Sequence, residues 1–217
     1  MNQKTKLVSL ISAAAASLGL ALSASAQTAT AEVPASFGNG AALLGSGYTS
    51  VAYRYTDLDN GPPSALRGAV LTFNQPLQAG LDFTLSYDWA RASADPIRLT
   101  NQDLNAGVTA FSKLEWGKPY VQALAGWEWR RGAGFTGNSF AYTLGTGMEF
   151  QAASELALTP YINFVRATHF SQNEVDYGVK ATYRITRQWG VTAGYEYDAV
   201  QHAKDRNVYT LGVNYHY

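Results

Sequence analysis

The 217-residue chain has no cysteine, two methionines, three histidines and equal numbers of acidic and basic residues, 16 of each. Without cysteine there is no disulfide framework, no thiolate metal centre and no lipid attachment through a cysteine. Balanced charge removes the sustained basic field that a nucleic-acid partner needs. Long apolar runs are also scarce. Past the first 22 residues none approaches the ~20 residues of a membrane-spanning helix. Mean hydropathy is slightly negative, yet it says little about a chain in which each apolar residue is averaged against a polar neighbour.

That alternation is the dominant pattern after residue 46. It is preceded by Lys4 and Lys6, an apolar run from Leu7 to about Leu22, and Ala24-Ser25-Ala26. These are the charged, apolar and small-residue regions of a secretory signal peptide. Residues 1–26 are therefore expected to be removed, leaving Gln27 as the first residue; an uncleaved N-terminal anchor is the alternative. Residues 27–46, rich in Gly and Ala and without a sustained period, read as a periplasmic linker or a loose plug segment. Residues 47–217 form the remaining domain.

In that domain, segments near 47–57, 66–75, 80–91, 103–115, 119–130, 139–151, 156–166, 174–185, 189–199 and 207–217 alternate with period two. Between Gly80 and Arg91, Leu81, Phe83, Leu85, Tyr87 and Trp89 interleave with Asp82, Thr84, Ser86, Asp88 and Ala90. One face suits hydrocarbon and the other water. The expected fold is all-β, a transmembrane antiparallel up-and-down β-barrel of about ten strands, with eight as the rival count. Short connections, such as 74–79 and 186–188, alternate with longer polar ones, such as 92–102 and 131–138, which implies short turns in the periplasm and long loops outside. The tryptophans fall on the outward parity near segment ends, as lipid–water boundary anchors do.

The final segment, Tyr209-Thr-Leu-Gly-Val-Asn-Tyr-His-Tyr217, places Thr210, Gly212, Tyr215 and Tyr217 in a spacing that resembles the C-terminal assembly signal of bacterial outer-membrane β-barrels. The wider likeness is to the small porin-like or opacity-type barrels. This resemblance implies residence in the outer membrane, contact with its lipid, and recognition of the last strand by the barrel-assembly machinery. No cofactor and no metal are expected.

The inward parity carries charges of both signs: Arg54, Asp82, Asp88, Lys113, Glu128, Glu149, Asp176, Lys180, Arg184 and Glu196. An unpaired charge inside a narrow barrel is costly, so these side chains are expected to brace the wall in mixed-sign pairs, Arg54 with Glu128 and Glu196, Lys113 and Arg184 with Asp82 and Glu149. A charged constriction in a selective pore is the competing role. Lumen glycines, among them Gly126, Gly147, Gly178 and Gly212, relieve crowding or leave room for water. Some barrels of this strand number resemble proteases with aspartates and a histidine at the outer rim; Asp57, Asp59, Asp198 and His202 are the candidates here. His169 and His216 have no partner at metal-ligand spacing. The sequence thus points first to a non-enzymatic envelope barrel with surface loops, next to a narrow passive diffusion channel, and only distantly to a surface hydrolase.

Overall fold

The computed structural model describes residues 41–58, 63–94, 97–132, 134–201 and 203–217. Residues 1–40, and with them the expected signal peptide, lie outside the described residues.

Ten strands follow one another: β1 (Tyr48–Asp57), β2 (Ala65–Gln78), β3 (Leu81–Ala94), β4 (Ile97–Phe111), β5 (Lys118–Gly132), β6 (Phe135–Ala153), β7 (Leu156–Ala167), β8 (Gln172–Arg184), β9 (Trp189–Val200) and β10 (Arg206–His216). Each pairs antiparallel with its neighbours in sequence, and β1 pairs with β10 from Tyr48↔His216 to Asp57↔Asn207, so the sheet closes into a barrel. Closure satisfies the backbone donors and acceptors of every strand without water, which hydrocarbon demands. The even count brings the start of β1 and the end of β10 to one rim, here termed the proximal end.

The two side-chain parities separate as the alternation requires. Val51, Leu85, Trp127, Leu144, Val179 and Leu211 are exposed on the outer wall. Aromatic contacts mark two bands on that wall. The proximal one includes Trp116 with Phe150, Trp189 with Tyr215 at 5.0 Å between centroids, and Phe73 stacked on Tyr217. The distal one includes Tyr55 and Tyr195, both against Tyr209. From Trp189 to Tyr197, farther along the same strand, the backbone rises roughly 26 Å, which at the usual tilt is about 20 Å of height, most of the ~25 Å apolar belt of such barrels.

One expectation is corrected. The connections at 92–102 and 131–138 are largely strand, because β3 continues to Ala94, β4 starts at Ile97, β5 runs to Gly132 and β6 starts at Phe135. The Leu99↔Ala92 and Arg131↔Thr136 pairs carry the ladder on. Backbone pairing does not need an apolar face, so hairpins extend past the belt where both faces meet water, and side-chain alternation fades before the ladder ends. The two ends therefore differ in hairpin overhang more than in loop length.

Candidate functional site

The inner wall encloses a cavity of about 450 Å³ that reaches from Leu43, Leu44 and Glu149 at the proximal end to Gln172, Glu174 and Arg206 at the distal end. Its charged lining comprises the acids Asp88, Asp103, Glu128, Glu149, Glu174, Asp176 and Glu196 and the bases Arg54, Arg130, Lys180 and Arg206, an excess of three carboxylates.

Arg54 on β1 sits at the centre of the distal network. Its Nη1 is paired with Asp88 Oδ2 on β3, and its Nη2 lies 3.8 Å from Glu196 Oε1 on β9. These two strands stand on opposite sides of β1, so one guanidinium ties together an arc of five strands. The Tyr161 hydroxyl donates to Glu196 Oε2 at 2.8 Å, and Lys180 Nζ lies 4.8 Å from the Tyr161 ring centroid. Lys180 lines the lumen and keeps accessible surface toward its cavity.

A second set of pairs differs from the sequence expectation. Glu128 is met by Arg130 Nε, two residues along the same strand, rather than by Arg54, and Arg130 Nη1 continues to Gln172 Oε1 at 2.6 Å. Glu149 is paired with Lys118 at 3.3 Å. Lys113 lies in the β4–β5 turn and is exposed, outside the lumen; the strand ends at Phe111, so the period-two parity no longer applies to it. Arg184 meets the His216 ring, Nη2 to Nδ1 at 3.1 Å, and Asp82 is served by uncharged donors.

At the proximal end, residues 41–46 lie against the inside of the rim. Leu43 and Leu44 donate their N–H groups to the Glu149 carboxylate, Leu43 at 2.6 Å, and Gly45 donates to Asp82 Oδ2 at 2.8 Å. Lys118 Nζ donates to the Leu44 carbonyl at 2.6 Å, and Asn74 Nδ2 donates to the Ser46 carbonyl. The Leu44 side chain packs on Phe111, Tyr120 and Tyr161. Asp82 is fully buried here.

A row of rings and glycines crosses the wall at that height. Register places Tyr120 opposite Gly147, Gly147 opposite Tyr161, and Tyr161 opposite Gly178. Each ring lies over its neighbouring glycine, so a Cβ at 147 would stand 2.7 Å from Tyr120 Cζ. These two glycines are slots for aromatic rings, and at 147 the Pro160 carbonyl oxygen, 2.6 Å from a Cβ, crowds the same space.

On β10, Thr210 and Gly212 face the lumen, while Tyr215 and Tyr217 are exposed on the outer wall, the Tyr217 hydroxyl donating to the Asn74 carbonyl at 3.1 Å. Of the rim candidates, Asp59 and His202 lie outside the described residues. Asp198 is on β9, directly opposite Asp176 and fully buried. His169 packs on Phe170 and its backbone N–H donates to Ser139.

Sequence reasoning passed over Lys118, Tyr120, Arg130, Tyr161, Glu174 and Arg206. Parity held the signal for most of them. Lys118 and Tyr120 share the face of Glu128, Arg130 follows Glu128 by two, and Glu174 precedes Asp176 by two.

No protein-family model and no curated protein sequence matches the chain. Among solved structures, an outer membrane channel from Pseudomonas putida F1 superposes with a TM-score of 0.50 at 12% identity, over 81% of this chain and 97% of that one. The fold is that of an outer-membrane β-barrel. The beta domain of the Bordetella autotransporter BrkA aligns over 79% of this chain and all of its own length, with a TM-score of 0.49 and 11% identity. The translocator domain of the autotransporter NalP from Neisseria meningitidis aligns over 80% of this chain and 89% of its own, with a TM-score of 0.46 and 10% identity.

Proposed function

We propose that the protein is a non-enzymatic outer-membrane β-barrel, an envelope component whose lumen is braced by charge pairs and closed at its periplasmic mouth by residues 41–46. On this reading residues 1–26 are a signal peptide, the proximal end faces the periplasm, and β10 presents Thr210, Gly212, Tyr215 and Tyr217 to the barrel-assembly machinery. The distal hairpins then stand at the cell surface, available for contacts. The observation that carries the bracing is the simultaneous pairing of Arg54 with Asp88 and Glu196, which holds carboxylates of two distant strands to one cation. Such a pair costs stability when one partner is removed and leaves little free charge to guide ions.

A narrow passive pathway for cations is the second reading, favoured by the cavity that runs most of the lumen with its excess of carboxylates. Planar-bilayer recording of the mature chain separates the two. The braced barrel is expected to be silent or to flicker rarely, and Glu149→Gln with Asp82→Asn, which weakens the hold on Leu43, Leu44 and Gly45, is expected to raise the frequency of openings. Sustained single-channel steps from the unaltered chain would overturn the closed reading in favour of the pathway.

A further inference from the structure

The distal lumen brings three carboxylates together where the fold supplies too little positive charge. Glu174, Asp176 and Asp198 each offer an oxygen within 4.8 Å of the others. Asp176 and Asp198 stand directly opposite on β8 and β9, a like-charge pairing that destabilises a sheet unless something intervenes. Both are buried, Asp198 completely and Asp176 with 6% of its surface exposed. Asp198 Oδ1 and Asp176 Oδ1 find no hydrogen-bond donor. The nearby guanidinium does not complete the set: Arg206 Nη2 reaches Glu174 Oε1 at 2.5 Å and Asp198 Oδ2 at 3.2 Å, the second contact an ion pair without hydrogen-bond geometry. Gln172 Nε2 donates to the second oxygen of Glu174 at 3.2 Å. Buried carboxylate oxygens in native proteins are almost always hydrogen-bonded, so three that are not, one of them met only by an ion pair, converging with the Glu174 carboxylate, point to an occupant.

We propose that Glu174, Asp176 and Asp198 form a binding site for a hard divalent cation of the calcium type, entered from the lumen. The donor set is all oxygen and flexible in denticity. An O···O span of up to 4.8 Å is about twice a calcium–oxygen bond and so permits the three carboxylates to share one ion. Glu174 and Asp176 line the lumen cavity, which gives the ion a route and room for water ligands. A divalent ion also balances the two charges that remain when one arginine faces three carboxylates. Magnesium, smaller and held to octahedral geometry at shorter distance, fits this span less well. The ion would tie β8 to β9 and to the first residue of β10 through Arg206, at the end of the barrel that carries the overhanging hairpins.

The test uses the mature barrel refolded in detergent free of lipopolysaccharide and stripped with EDTA. Calcium chloride titrated in a calorimeter is expected to show saturable one-site binding at about 0.1–1 mM, the range of extracellular calcium modules. It should also raise the thermal unfolding midpoint, with magnesium chloride weaker in both. Asp176→Asn and Asp198→Asn are each expected to weaken binding at least tenfold, and each should unfold later than the unaltered chain in EDTA because the facing charges are gone. If Asp198→Asn fails to fold, Glu174→Gln, less deeply buried, gives the same binding readout. Three outcomes overturn the proposal: no saturable calcium heat up to several millimolar, an unfolding midpoint equal in EDTA and calcium, or binding unchanged in the variants. Stabilised variants in a protein that binds no calcium would assign the excess charge to protons, and would equally overturn it.

Discussion

The Tyr161 ring lies across Gly178 on the adjoining strand, so close that a Cβ at 178 would stand 2.2 Å from Tyr161 Cζ. From that position its hydroxyl reaches Glu196, and its face meets Lys180. The glycine thus sets the position of an aromatic ring that joins the bracing network to the wall. Gly178→Val is expected to displace the ring and destabilise the barrel by about 1–3 kcal/mol, the usual cost of overpacking. Urea titration of the barrel in lipid vesicles measures it. Tyr161→Phe keeps the ring in its slot and loses one charge-assisted hydrogen bond, so it should cost less.

Arg54→Met removes the cation shared by Asp88 and Glu196. Beside the lumen cavity, which leaves room for hydration, the stranded carboxylates should lower stability by about 1–3 kcal/mol, less than in a close-packed core. Urea titration at neutral pH measures the loss, and bilayer recording of the same variant measures ion preference. A selectivity change with unaltered stability would show that the residue serves a filter instead.

Gly212 sits at the seam where β10 closes on β1. A Cβ there would meet Val51 O at 2.8 Å and Ala52 Cβ at 2.6 Å, the first of these being backbone that cannot swing aside. Gly212→Val is therefore expected to impair closure itself. Heat-modifiable migration in gel electrophoresis reports this directly: the folded, faster band should be lost or much reduced, whereas Thr210→Ser, two residues away on the same face, should retain it.

Leu85 is exposed on the outer wall between Leu81 and Trp89, and its neighbour Ser86 lines the lumen. Leu85→Arg is expected to cost about 2–4 kcal/mol when folded in a bilayer, and Ser86→Asn much less. Equal costs in a refolding titration into lipid would mean that the two faces are assigned the wrong way round.

About ten strands, with eight as the rival count, their up-and-down order and the division of each into a wet and an apolar face follow from the sequence alone, because side-chain parity is a local property of an extended chain; ladder pairing around the closed sheet settles the count at ten. Lys113 marks where this stops: parity holds only inside a strand, and β4 ends at Phe111. The overhang of β3 to β6 was hidden for a related reason, since a hairpin in water pairs through its backbone and leaves no alternation to read. What only the closed barrel decided is which lumen groups meet. Arg54 belongs to Asp88 and Glu196, Glu149 to Lys118 and the backbone of residues 43 and 44, and Asp176 faces Asp198. Those meetings depend on the stagger between strands and on the width of the lumen, which are set when β10 closes on β1 and are written in no single segment of the chain.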